Sequence, residues 1–150
     1  MVVVFDEKFP QEIQQDLMNA IVFFSDYLIS RKLDKHITIH MEMKKTFADH
    51  GDCEVLDYNT QHKARVFKIR LRNKKSLKSI IKTLAHEMVH VKQFAKGELS
   101  EYHDRWQGID HSETPYHDLP WEIEARTLEH IMFDLFKNKH PNTFLPKQPQ

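Results

Sequence analysis

Between Ser76 and Gly97 the chain carries a segment whose spacing dictates a helix. From Leu77 to Ala95, residues Leu84, Met88, Val91 and Ala95 recur at i, i+4, i+7 and i+11, a stripe suited to packing on a core. Ser76 supplies an N-cap oxygen, and Gly97 stands where a left-handed turn ends a helix. Inside the segment lies His86-Glu87-Met88-Val89-His90, an H-E-x-x-H pattern. At about 100° per residue, His86 and His90 fall on one face, nearly opposite the apolar stripe, and are expected to face a cleft. Two imidazoles one turn apart can close on a single divalent cation, while Glu87, one step round, can take a proton from a nearby water. The chain holds 11 histidines, enough for such a pattern to arise by accident, so the surrounding sequence has to support it.

The order of elements does so. After Pro10, residues Ile13, Leu17, Ala20, Ile21, Phe24 and Leu28 recur at helical spacing to about Arg31. Residues His36 to Lys44 alternate, with Ile37, Ile39, Met41 and Met43 on one face, as a half-buried strand does. Asp49 to Asp52 read as a turn, Cys53 to Leu56 as a short strand, and Asp57 to Asn59 as a second turn. A third strand spans Ala64 to Arg72, with Arg65, Phe67, Ile69 and Leu71 opposing Val66, Lys68 and Arg70. Residues Glu98 to Leu119 are polar, aromatic and histidine-rich without periodicity, a loop long enough to suggest that it lines the cleft. Pro120 opens a last helix with Trp121, Leu128, Ile131, Met132 and Leu135 on one stripe. The expected fold is α+β, one domain over residues 1–138: an N-terminal helix, a small mostly antiparallel three-stranded sheet, the H-E-x-x-H helix, a loop and a C-terminal helix. Residues 139–150 are expected to form a flexible tail.

At 150 residues and 40% hydrophobic content the chain can fill one core and not two. Lys plus Arg equals Asp plus Glu at 22 each, so no net field draws it toward nucleic acid or a membrane surface. Cys53 is the single cysteine, which excludes an intrachain disulfide and a thiolate metal cluster and suits a reducing compartment. The run Val2-Val3-Val4-Phe5 is too short for a signal-peptide core, and the apolar stretch from Ile21 to Ile29 is broken by Ser25 and Asp26, well short of a bilayer span. A cytoplasmic protein, monomeric by default and with no membrane partner, is the expectation.

Two histidines leave a catalytic zinc ion short of its usual three protein ligands. An H-E-x-x-H-x-x-G-x-x-H site is excluded, because Gln93 and Lys96 stand at the required Gly and His positions. The third ligand must come from further on. Glu124 lies closer than Glu122 to the stripe of Leu128, Ile131 and Leu135, and a carboxylate buried there needs a cation. Glu122, in the first helical turn, can instead project past the stripe into the cleft.

The H-E-x-x-H helix followed by Pro120-Trp121-Glu122-Ile123-Glu124-Ala125 resembles the small gluzincin-type metallopeptidases, and most of all the short SprT-like proteins encoded by phages. The resemblance covers roughly residues 35–136. It implies a zincin-like fold, Zn2+ as cofactor, and Glu122 as the third ligand, since the ligand glutamate of similar families precedes an alanine by three positions. This chain departs from them at Arg126, where many have Asp or Asn. The segment His103-Asp104-Arg105-Trp106 resembles the stretch from which SprT and Spartan proteases take a third histidine, without its glycine. The set His86, His90 and Glu122 is thus expected to hold the metal, with Glu124 and His103 as alternatives.

The expected activity is zinc-dependent hydrolysis of peptide bonds in a protein or peptide substrate, with Glu87 as the catalytic general base. An oxyanion-stabilising group could come from Tyr116, His111 or His117, among which no spacing rule chooses. An edge strand, such as that of Ala64 to Arg72, could receive an extended peptide. Between Asp57 and Glu87 there is no acidic residue, while Lys63, Arg65, Lys68, Arg70, Arg72, Lys74, Lys75, Lys78 and Lys82 accumulate. That basic segment, residues 63–82, could attract acidic or nucleic-acid-associated substrates, the latter by resemblance to Spartan, which cleaves proteins crosslinked to DNA. Two further readings are a non-catalytic module that zinc merely stabilises, and a nucleic-acid-associated protein with incidental histidines.

Overall fold

The alternation in residues 36–44 and 64–72 becomes the centre of a mixed sheet. The structure, a computed structural model, describes residues 1–45, 49–73 and 76–146. Its elements are β1 (Val2–Phe5), α1 (Gln14–Leu28), a short α2 (Arg31–Asp34), β2 (Thr38–Lys44), β3 (Gly51–Tyr58), β4 (Ala64–Arg72), α3 (Leu77–Ala95), the two-residue strands β5 (Arg105–Trp106) and β6 (Ile109–Asp110), and α4 (Pro120–Lys139). The strand order is β1-β2-β4-β3. β1 and β4 both run parallel to β2, with Val3 opposite Ile39 and Ile39 opposite Phe67, while β3 runs antiparallel to β4, with Cys53 opposite Ile69.

The protein is therefore a single α+β domain, but its sheet has four strands and is mostly parallel, which corrects the expected three-stranded antiparallel arrangement. The reason is at the N-terminus. Val2–Phe5 is a strand, and α1 forms the crossover that parallel pairing of β1 with β2 requires. β3 folds back on the outer side of β4, which leaves β4 bonded on both sides and makes β1 and β3 the edges. The edge expected at Ala64 to Arg72 is thus an interior strand.

Ile39, Met41, Phe67, Ile69 and Leu71 face the core with almost no exposure, as the alternation predicts. α3 lies on the sheet between α1 and α4 and is buried nearly all round, from Ile80 and Ile81 to Phe94 and Ala95. It begins where expected, with Ser76 Oγ accepting from Ser79 N–H, and ends at Gly97, whose φ of 73° is the left-handed conformation glycine adopts freely.

The stripe expected on α4 is rotated. Ile131 and Leu135 are each 43% exposed, while Trp121, Glu122, Ala125, Met132, Phe133 and Phe136 are buried. Aromatic packing sets this rotation: Phe136 lies 5.6 Å and 5.7 Å from the rings of Phe23 and Phe24 on α1, and Phe133 lies 5.4 Å from Phe144. The helix also runs past Asn138 to Lys139, and a 3-10 turn at Pro141–Phe144 returns Phe144 to the core edge. The packed body thus extends beyond residue 138, where the sequence predicts a fraying tail. Among the described residues, no helix is long and apolar enough to cross a membrane.

Candidate metal centre

α3 carries His86 and His90 one turn apart, and the rotation of α4 turns Glu122 toward them. His86 Nε2 lies 3.1 Å from Glu122 Oε2, and His90 Nε2 lies 3.2 Å from Glu122 Oε1. One ligand atom from each of the three falls within 4.8 Å of the others. The two imidazole rings meet edge to face, 4.9 Å apart. Ligands about 2.0–2.1 Å from a tetrahedral zinc ion are themselves a little over 3 Å apart, so a donor set gathered within 4.8 Å could close on a small divalent cation with a small adjustment of side chains. Two imidazoles and a carboxylate also suit zinc chemically.

Both imidazoles are held from behind. His86 Nδ1 donates to Glu129 Oε1 at 3.3 Å, and His90 Nδ1 donates to Gln93 Oε1 at 2.7 Å. The surroundings of Gln93 fix the direction of the second bond. Gln93 is 0% exposed, and its amide nitrogen donates to Trp121 O and to Glu124 Oε1, both at 3.0 Å, so only the amide oxygen can face His90. With Nδ1 protonated, a neutral His90 presents the lone pair of Nε2 to the centre, the tautomer a metal requires. Glu124 is itself anchored by Lys92 at 2.9 Å, and Lys92 pairs with Glu98 at the same distance. The two candidate glutamates thus divide: Glu122 joins the histidines, while Glu124 braces the scaffold behind His90.

Without a metal this cluster is an ion pair. Burial opposes charge on His86, yet the carboxylates of Glu122 and Glu129 raise it to about 10, and His90 is raised in the same way by Glu122 and Glu87. Glu122 resists desolvation and is held far below the usual carboxylate range by the two imidazoles. Glu87 is different. It is 5% exposed, burial pushes its carboxyl up to about 7 against the pull of His90 and His86, and its Oε2 has no hydrogen-bond partner. A buried, unpartnered carboxylate oxygen is costly unless a ligand completes it.

These residues line one cleft of about 910 Å³ between the edge strand β3, α3 and α4. The loop after Gly97 closes it with Leu99, His103, Tyr116, His117 and Leu119, as its length and composition predict. His103 lines the cleft but stays outside the ligand cluster, its ring packed 5.1 Å from Phe94. Tyr116 and His117 also face the cleft, whereas His111 meets Trp121 edge-on at 5.9 Å. From the other side β3 contributes Gly51, Asp52 and buried Cys53. A Cβ on Gly51 would lie 2.7 Å from Thr83 Cγ2 and 2.9 Å from Arg70 O, so only glycine lets β3 sit this close to α3 and Glu87.

Glu129, Gln93 and Gly51 also serve this site, in roles that no motif in the sequence assigns. The first two carry a signal that spacing could have found: Glu129 is two turns beyond Glu122 on the same face, and Gln93 is three residues beyond His90. Gly51 carries none, since its role depends on how a strand meets a helix. No protein-family model, curated protein or solved structure matches this chain.

Proposed function

We propose that the protein is a zinc-dependent peptidase with a zincin-like plan, similar to the small gluzincin-type SprT-like proteins, in which His86, His90 and Glu122 hold the ion. Zinc would supply Lewis acidity there, polarising a substrate carbonyl and lowering the pKa of a water toward about 7. Glu87 accepts the proton of the attacking water as the C–O bond forms, and returns a proton to the amide nitrogen as the C–N bond breaks. The edge strand β3, which lines the cleft at Gly51, Asp52 and Cys53, offers unpaired backbone groups to an extended substrate. The cleft residues Tyr116 and His117 supply polar groups near the reacting carbonyl.

The observation that carries this reading is Glu87 itself. A purely structural zinc site has four protein ligands and no use for a buried carboxylate beside them, whereas this cluster has three ligands among the described residues and an open cleft. Nucleic-acid binding through residues 63–82 finds less support. Lys68 pairs with Glu42 and Arg70 with Asp52, Arg65 donates to the carbonyls of Ala64 and Ala95, and Lys82 lies over the Phe133 ring. No residue of that segment lines the cleft among the described residues, and Lys74 and Lys75 lie outside them.

The test is Glu87→Gln, with zinc content and hydrolysis of an unfolded protein such as reduced casein measured together. The variant should retain wild-type zinc and lose roughly 10²–10⁴-fold in rate. Full activity in Glu87→Gln would end the proposal.

A further inference from the structure

Arg126 is the single Lys or Arg among the described residues that line the cleft. It stands one turn beyond Glu122 on α4, half-buried, with Nη2 donating to the His117 carbonyl at 2.9 Å. That bond fixes the guanidinium against the loop and leaves most of its five donors unused. No carboxylate lies within ion-pairing distance of it among the described residues. Other cations held in this fold do not share that lack: Lys92 has Glu98 and Glu124, Arg70 has Asp52, and Lys68 has Glu42, although Arg65 and Lys82 are held by carbonyls and a ring.

Three carboxylates of the same cleft have counterions of their own, while Glu87 lies buried beside the imidazoles with its Oε2 unpartnered. Asp52 has Arg70, and Glu122 and Glu129 face His86. Arg126 is therefore the place in the cleft where an incoming negative charge meets an uncommitted positive one. Residues one helical turn apart are separated by about 5–6 Å, and an extended peptide advances about 3.3 Å per residue. A group held by Arg126 thus lies about two residues along a substrate from the bond opposite Glu122.

We propose that Arg126 selects peptides bearing a carboxylate within about two residues of the scissile bond, supplied by an acidic side chain or by the peptide's own C-terminus. This rests on the peptidase reading. A planar guanidinium clamps a carboxylate through two parallel N–H···O bonds, which a neutral amide cannot match.

The experiment uses the zinc-loaded full chain and N-acetylated alanine hexapeptides with one Glu or Gln placed at each position, each with a free or an amidated C-terminus. One Glu position should exceed its Gln counterpart about tenfold in kcat/KM, mostly through KM, and the ratio should shrink as salt is raised. In Arg126→Ala the ratio should fall to near unity, and in Arg126→Glu a Lys-bearing peptide should be preferred. An advantage seen only with free C-termini identifies the chain end as the carboxylate source. Calorimetric binding of the same Glu and Gln peptides to Glu87→Gln needs no turnover. A tenfold preference there, lost on adding Arg126→Ala, supports the role of Arg126 even if the wild type cleaves nothing, which would end the peptidase reading alone. Equal binding and equal cleavage of Glu and Gln peptides would overturn the proposal. So would an Arg126→Ala protein whose losses are the same for both peptides, since the guanidinium would then be only a strut for the His117 loop.

Discussion

Gln93 predicts a variant that damages the metal centre without altering a ligand. In Gln93→Met a side chain of similar length replaces the amide and removes every polar contact it makes: His90 Nδ1 at 2.7 Å, and Trp121 O and Glu124 Oε1 at 3.0 Å. Trp121 C=O keeps its acceptor role within the first turn of α4, and Glu124 keeps Lys92 at 2.9 Å. His90 Nδ1–H, in a site that is 0% exposed at residue 93, keeps nothing. An orphaned buried donor costs about 1–3 kcal/mol and each of the two other bonds about 0.5–1.5 kcal/mol, so the metal-free protein should lose about 2–6 kcal/mol. Denaturant unfolding in EDTA reads that loss. Independently, His90 loses the contact that selects its tautomer, which should weaken zinc binding by about 10–100-fold in a chelator competition. Gln93→Glu provides the contrast. It keeps an acceptor for His90 but sets a carboxylate against Glu124, so it should destabilise the fold while holding zinc nearly as well as wild type. A Gln93→Met protein within about 0.5 kcal/mol of wild-type stability, and within about twofold of its zinc affinity, would refute the reasoning.

Three further outcomes follow from the geometry. Glu122→Ala should abolish stoichiometric zinc, whereas Glu124→Ala should keep it and instead lower the unfolding midpoint, because Lys92 and Gln93 both lose a partner; zinc loss in the second variant alone would reverse the assignment. Gly51→Ala should cost about 1–3 kcal/mol and reduce hydrolysis, since its methyl meets the Arg70 carbonyl at 2.9 Å and β3 must lift from Thr83 and Glu87; an unchanged midpoint would show that the strand gives way without strain. The metal-free protein should be less stable at pH 9 than at pH 6. His86 is raised from 6.5 to about 10, so its contribution is complete below 6.5 and lost as pH rises toward 10; Glu87, raised from 4.5 to about 7 by burial, acts in the same direction. Glu122, lowered by its imidazoles, contributes fully at both pH values and loses its share only in acid. Urea midpoints in EDTA that stay level from pH 6 to 9 would contradict this, and zinc should abolish the decline because a ligating imidazole is neutral.

Much of this protein is written in local patterns. Period two in residues 38–44 and 64–72, period 3.6 in 77–95, the Ser76 cap, the Gly97 stop and Pro120 at a helix start each depend on a few neighbouring residues, and all reappear in the structure. The adjacency of His86, Glu87 and His90 belongs to the same class, because helix geometry alone puts them on one face.

What no local pattern holds is the absolute rotation of an element that has apolar residues on more than one side. α4 has two candidate stripes, and a wheel gives only the angles between them. The ring cluster of Phe23, Phe24, Phe136 and Phe144 turns the helix roughly 80° from the aliphatic choice. That rotation buries Phe133 in place of Ile131, brings Glu122 and Glu129 to the histidines, and sends Glu124 to Lys92. The parallel place of Val2–Phe5 beside β2 is likewise a long-range pairing, invisible until α1 has packed. Residue types and their phase set which chemistry was available to this chain; packing between distant segments chose which carboxylate faces the imidazoles, because burial of bulky rings outweighs the preference of any single helix face.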